Sequence, residues 1–226
     1  MRGMSDHATQ EKPTRRAPLQ GRSQETVARI LAATTALLGR GISVEAMTTA
    51  QIAAEAGLSV GALYRFFADK QAIVDAIAVT RMEAFQEALA GRLMFAMPAS
   101  PAAFLAAVID AFAAFLLAHP DLRMLAFGGA GGGRAISRAT RDAQEGSGRI
   151  AGMVKEFLAE AYDLALDEGF DFRLRIAIEI GDRLLAHALE QPDALSRDRV
   201  LGEMKGLIAL YLFPAESGVK PCVAGS

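Results

Sequence analysis

Tryptophan is absent from this chain, tyrosine and histidine occur three times each, and the one cysteine, Cys222, lies near the C-terminus. A lone thiol excludes an intramolecular disulfide. The histidines, His7, His119 and His187, stand far apart with no cysteine or carboxylate at metal-ligand spacing, so no metal site is expected. Neither a nucleophile elbow nor a dinucleotide-binding fingerprint occurs, and the glycine cluster Gly128 to Gly133 lacks the Gly-Lys-Ser/Thr ending of a phosphate-binding loop. The chain therefore reads as a non-enzyme with no cofactor, and the cluster as a mobile connection. No run reaches about 18 uninterrupted apolar residues and the N-terminus carries no secretory-type apolar segment, which predicts a cytoplasmic protein without membrane contact.

What the chain has in quantity is apolar surface: 52% of its 226 residues are hydrophobic and the mean hydropathy is +0.23, enough for a sizeable core in one or two domains. Charge is divided unevenly. Residues 1–70 hold nine Lys and Arg against six Asp and Glu, a surplus of +3, while the remainder carries −5 within an overall −2. The basic end also holds the most distinctive pattern in the sequence.

That pattern is the 23-residue stretch from Thr48 to Lys70, TTAQIAAEAGLSVGALYRFFADK. Ile52, Ala53 and Ala56 form a short helical stripe, and Thr48 with Gln51 has capping-box spacing, so a helix is expected to start there. Gly57 ends it in a left-handed turn, and Ser59 caps a second helix expected over roughly 60–67. Two short helices around a tight turn make a helix-turn-helix, whose second helix lays its N-terminal residues along base edges in the major groove. Gly61 and Ala62 leave the leading end of that helix thin, Tyr64 and Arg65 supply polar reach, and Asp69 caps a further helix from Lys70.

These residues resemble the DNA-binding domain of the TetR family of transcriptional regulators. The likeness runs through Thr48/Thr49, Ile52-Ala53, Ala56-Gly57, Ser59-Val60-Gly61-Ala62-Leu63-Tyr64, Phe66-Phe67 and Lys70. It implies a DNA-binding set of Thr48, Thr49, Ser59, Val60, Gly61, Ala62, Tyr64, Arg65 and Lys70, with Thr49, Ser59, Gly61, Tyr64 and Lys70 on phosphates and Val60, Ala62 and Arg65 nearest the bases. Val60 stands where the family often has a basic or polar residue, and Phe66 where it often has His or Tyr. Both departures remove polar contacts.

Around this unit, residues 1–22 are polar, interrupted by Pro13 and Pro18, and read as a flexible basic arm. From Ser23, a cap residue, Val27, Ile30, Leu31, Thr34, Leu37 and Leu38 keep helical spacing up to Gly39 and Gly41. Their partners in a three-helix core are expected to be Ile52, Leu63 and Phe67, which bounds a DNA-binding domain at 23–69. The helix after Asp69 carries Ile73, Val74, Ile77, Phe85 and Leu89, a face long enough to leave this domain and act as a lever on it.

A regulatory and dimerisation domain is expected over 70–213, with a flexible tail at 214–226. Ser100-Pro101 opens a helix that is apolar nearly all round, His119-Pro120 closes it, and an apolar turn through Leu122, Met124, Leu125 and Phe127 follows. A longer helix is expected over about 136–166 and two last ones over about 172–190 and 197–213. Phe104, Val108, Phe112, Phe115, Met124, Phe127, Met153 and Phe157 suit a site for an apolar or aromatic small molecule and suit a filled core equally well; the resemblance implies the pocket. It likewise implies that Ile176, Ile180, Leu184, His187, Met204, Leu207, Ile208 and Tyr211 form a homodimer interface as part of a four-helix bundle.

The expectation is thus an all-α protein of about nine helices. It binds a palindromic double-stranded DNA operator as a homodimer, with reading helices about 34–36 Å apart, and represses until a small-molecule effector enters. The alternative is a DNA-binding protein of the same fold whose C-terminal domain binds a protein partner.

Overall fold

The computed structural model describes residues 17–127, 146–164, 166–167 and 169–214, with side chains from residue 23 in the first helix and from residue 154 in the seventh. Among these residues there are nine helices and no strand: α1 (Ala17–Gly39), α2 (Thr49–Glu55), α3 (Val60–Leu63), α4 (Lys70–Phe95), α5 (Pro101–Ala118), α6 (Pro120–Phe127), α7 (Gly146–Tyr162), α8 (Phe170–Leu189) and α9 (Ala194–Leu212). Helix starts follow local chemistry. Thr48, Ser59, Asp69, Ser100 and Asp193 each stand before a helix in extended backbone and accept the amide three residues on, which satisfies a donor the helix itself leaves open.

Several boundaries differ from expectation. Helix α1 begins at Ala17, so residues 17–22 of the expected arm are helical; Pro18 is compatible because a proline in the first turn lacks only an amide that has no helical partner. The expected turn at 122–127 is helix α6, again with proline in its first turn. Helix α7 stops at Tyr162 rather than 166, where Asp163 takes a left-handed φ of 51°. Helices α8 and α9 start at Phe170 and Ala194, ahead of the expected 172 and 197. Residues 1–16, the glycine cluster, the first part of the helix expected at 136–166, and the tail from 215 with Cys222 lie outside the described residues.

The helices build two hydrophobic cores. The N-terminal one closes over Ile30, Leu38, Met47, Ile52, Leu63, Ile73 and Val74, all essentially inaccessible to water. Helix α4 supplies the last two, so the expected three-helix core has a fourth wall; Phe67 packs on it half-buried. The C-terminal core is centred on Leu116, Leu122, Leu158, Phe170, Ala188 and Met204, with α8 and α9 packed along their length. Helix α5 is long and apolar enough by composition to cross a membrane. Here it packs against α4, α6, α8 and α9, and its single charge, Asp110, pairs with Lys205 of α9 at 2.8 Å.

Two elements belong to both cores. Helix α4, 26 residues and about 39 Å long, places Ile73, Val74, Ile77 and Ala78 in the N-terminal core and the buried Phe85 ring against Phe112 and Phe115 of α5. Helix α6 is short yet two-faced: Leu125 is buried in the N-terminal core, and Leu122 and Ala126 in the C-terminal one. Asp121 in its first turn is 5% exposed and accepts a 2.7 Å charged hydrogen bond from Arg81 Nε of α4. Removing the guanidinium strands a buried carboxylate, and Arg81→Ala is expected to cost about 3 kcal/mol of stability in urea unfolding.

Asp182 of α8 presents a different electrostatic case. The residue is exposed overall, yet lost hydration at its carboxyl, and secondarily the charge of Glu179, push its pKa from 3.8 up to about 6. The folded chain then holds this proton more tightly than the unfolded chain, so stability falls as pH rises between those values. Asp182→Asn is expected to raise the unfolding midpoint at neutral pH, with the gain vanishing near about pH 4 in a pH series of thermal melts.

Candidate nucleic-acid interface

The helix-turn-helix is assembled from interlocking hydrogen bonds. At its start, Thr48 Oγ1 accepts from Gln51 N at 3.2 Å while Thr48 N donates to Gln51 Oε1 at 2.8 Å, a complete capping box. At the turn, Gly57 takes φ +65°, and the Gly57 and Leu58 amides bond back to Ala54 O and Ala53 O at 3.1 and 2.8 Å. Ser59 Oγ then accepts from Ala62 N at 3.1 Å. Helix α3 is shorter than the expected 60–67: regular α-helix ends at Leu63, and the amides through Phe67 close single turns onto Val60, Ala62 and Leu63.

Sequence reasoning missed the clamps on this unit. Arg29 of α1 donates through Nη2 to Ala56 O, and to Gly57 O at 3.3 Å, and so holds carbonyls at the end of α2. Arg40, in the turn just past the end of α1, grips Glu55 with two bonds of 3.1 and 2.8 Å. That hydrogen bond holds the Glu55 carboxyl below its ordinary pKa. The available signal was one of spacing, an arginine within α1 and another just past its end, eleven residues apart, before a helix with a glutamate in its last turn.

The outer face presents Ser59, Val60, Gly61, Tyr64 and Arg65 together, all exposed, with Ala62 half-buried beside them. Tyr64 Oη lies 3.3 Å from Thr49 Oγ1, so both hydroxyls meet at one end of this face. A Cβ built on Gly61 meets nothing within 4 Å, so packing inside the chain does not demand glycine there, and the bare backbone is open to an external body. Leu63, fully buried, anchors the helix from behind. Two residues of the expected DNA-binding set have other work. Thr48 is occupied by its cap, and Lys70, expected to be free for a phosphate, directs its ammonium inward onto the carbonyls of Val44 and Met47, the latter at 2.8 Å, with Glu45 O at 3.4 Å. The turn before α2 brings no backbone amide to the Val44 and Met47 carbonyls, and the Lys70 ammonium supplies the donor they need.

In the C-terminal half the expected groups separate. Phe104 is buried and stacks on Phe157 at 4.6 Å; Phe112 and Phe115 close on Phe85 at 4.9 and 5.5 Å; Val108 is half-buried among them. The tilted and offset contacts between these rings are themselves favourable. Met124 and Phe127 line a separate cleft of about 240 Å³ between α1, α6 and α8, while the Met153 side chain lies outside the described residues. Of the expected interface residues, Ile180, His187, Leu207 and Tyr211 are exposed and Ile176 and Leu184 half-buried. Met204 and Ile208, 1% and 8% exposed, instead face inward against α8, Ile208 Cδ1 lying 3.4 Å from a Cβ built on Gly181. Periodicity marks an apolar stripe but not which side of the helix its own chain covers.

A capped helix-turn-helix with an exposed polar and glycine face, joined to a larger helical domain, defines the class: a DNA-binding transcriptional regulator. Residues 30–77 match the bacterial regulatory proteins of the tetR family, and residues 99–216 match the tetracyclin repressor-like C-terminal domain. The chain belongs to the TetR family. Among solved structures it is similar to a TetR-family transcriptional regulator from Streptomyces coelicolor, with 25% identity over 83% of this chain and 97% of that one and a TM-score of 0.63. The fatty acid degradation regulator FadR from Bacillus halodurans shares the fold at 13% identity, covering 80% and 93%, with a TM-score of 0.59. A TetR transcriptional regulator from Rhodococcus sp. RHA1 does so at 18% identity, 86% and 97%, with a TM-score of 0.51. A search of curated proteins finds no match. The regulators in this comparison are transcription factors rather than enzymes.

Lys70 separates a structural from a contacting role. Lys70→Ala leaves buried carbonyls without a donor and is expected to cost about 1–3 kcal/mol in urea unfolding, whereas Tyr64→Ala, on the exposed face, leaves stability within about 0.5 kcal/mol and weakens DNA binding in gel shifts.

Proposed function

We propose that the protein is a cytoplasmic repressor that binds a palindromic operator as a homodimer and is released by a small molecule. In this reading residues 23–69 read DNA, residues 70–213 regulate and dimerise, and residues 1–22 and 214–226 are arm and tail, with 17–22 carried by the first turns of α1. Thr49, Ser59, Gly61 and Tyr64 meet phosphates, and Val60, Ala62 and Arg65 lie nearest the bases.

The observation that carries the dimer is the uncovered outer side of the α8/α9 pair. Phe172, Ile180, Leu207, Leu210 and Tyr211 are between 39% and 60% exposed there, beyond the layer in which Met204 and Ile208 are already used. Gly202 and Gly206, one helical turn apart, have open space where a Cβ would be, which allows a second backbone to come close. A patch of this kind on a regulator favours association with a copy of itself. One four-residue helix reads few base pairs, and a two-fold pair spaced at one turn of the duplex doubles the readout. Release then follows from linkage: an effector dissociates the complex only if it prefers the arrangement in which the two reading helices are wrongly spaced.

A specific observation favours the second reading, a protein partner for the C-terminal domain: the rings expected around an effector are packed together, and Met94 and Phe95 at the end of α4 are 89% and 95% exposed. The dimer is tested by Ile180→Glu. A charge placed in the apolar stripe is expected to give a monomer in light scattering and to weaken operator binding by about tenfold or more, the fold staying intact by circular dichroism. A monomeric wild-type protein that still binds a palindrome tightly would refute the reading.

A further inference from the structure

The cleft of about 240 Å³ lies where three elements with different allegiances meet. Leu38 and Gly39 come from the end of α1, in the N-terminal core; Leu189 and Glu190 from the end of α8, in the C-terminal core; and Arg123, Met124 and Phe127 from α6, which belongs to both. Its walls are apolar except for two opposite charges. Neither the Arg123 guanidinium nor the Glu190 carboxylate makes a hydrogen bond or ion pair with any described residue, and they do not pair with each other although both line the same small space. Glu190 is also the C-cap of α8, so the negative end of that helix adds to its charge.

We propose that this cleft is a binding site for a small zwitterion with an apolar body, an amino acid or a molecule of that kind. Its carboxylate meets Arg123, its ammonium meets Glu190 and the carbonyl end of α8, and its side chain lies on Met124 and Phe127. Arg123 and Glu190 are both exposed at the cleft and neither is paired within the described residues, so two separated charges of opposite sign match a ligand that carries both, and a ligand with one charge leaves the other wall to water. The volume falls below the range of about 300–1,000 Å³ usual for drug-sized ligands, which limits the occupant to amino-acid size. An occupant touches α1 and α8 at once and so ties the reading unit to the regulatory helices. The inference rests on the effector reading above only for that consequence, not for the binding itself.

The test is calorimetric titration of the full chain with L-phenylalanine, 3-phenylpropionate and 2-phenylethylamine. L-Phenylalanine is expected to bind saturably at one molecule per chain and about tenfold or more tighter than either singly charged analogue, with Arg123→Gln and Glu190→Gln each weakening it about tenfold. Gly39→Leu fills the cleft from a position where a Cβ meets nothing within 4 Å and the backbone is not left-handed; it is expected to abolish binding while leaving the unfolding midpoint unchanged. Absence of saturable binding, equal affinity for the three probes, or binding that survives Gly39→Leu overturns the proposal. No DNA enters the titration, so its failure leaves the operator reading standing, and failure of the operator reading leaves the site standing.

Discussion

Helix α6 is eight residues long and is buried on two sides by different parts of the molecule. Leu125 completes the N-terminal core, Leu122 and Ala126 complete the C-terminal one, and each fully buried leucine is worth about 1.5–3 kcal/mol. The Asp121 carboxylate fixes the helix further, because a buried charge tolerates displacement from its guanidinium poorly. A shift of either core relative to the other therefore has to break apolar packing, the Arg81–Asp121 bond, or both. The relative placement of the reading helices and the regulatory helices depends on this constraint.

The reading unit itself has little intrinsic stability. Helices of seven and four residues do not persist alone in water, since nucleation outweighs so few hydrogen bonds. They hold here because Ile52 and Leu63 are buried from behind while Arg29, Arg40 and Lys70 bind backbone or carboxylate at the ends. Three cations of a modestly basic region are thereby spent on architecture, and Arg65 remains on the outer face. Rigidity is bought with charge that a less constrained design would present to phosphate. A glycine and a valine at the leading end of α3 fit that economy: close approach and shape supply what side-chain charge does not.

In the regulatory half, aromatic residues of the described helices bind one another in two groups. Phe85, Phe112 and Phe115 form one ring cluster and Phe104, Phe157 and Tyr162 another, with Tyr162 Oη donating to Pro98 O at 2.9 Å. A cleft lies at the seam under α6, where helix ends from three directions meet. That cleft adjoins the helix that the two cores share.

The sequence alone determined the local events: the caps at Thr48, Ser59, Asp69 and Ser100, the left-handed turn at Gly57, the helical periods, and the resemblance carried by residues 48–70. Those depend on residues within a turn or so of one another, and their chemistry is complete without knowledge of the rest of the chain. Tertiary structure decided the direction each stripe faces and the partner each charge finds. Met204 and Leu207 are alike in sequence terms, yet one is buried by α8 and the other is left outside; Lys70 reads as a phosphate ligand until the carbonyls near Val44 fold back to meet it. Such outcomes are set by contacts between residues far apart in the chain, and no local period or spacing encodes which of two equivalent faces the remainder of the molecule will cover.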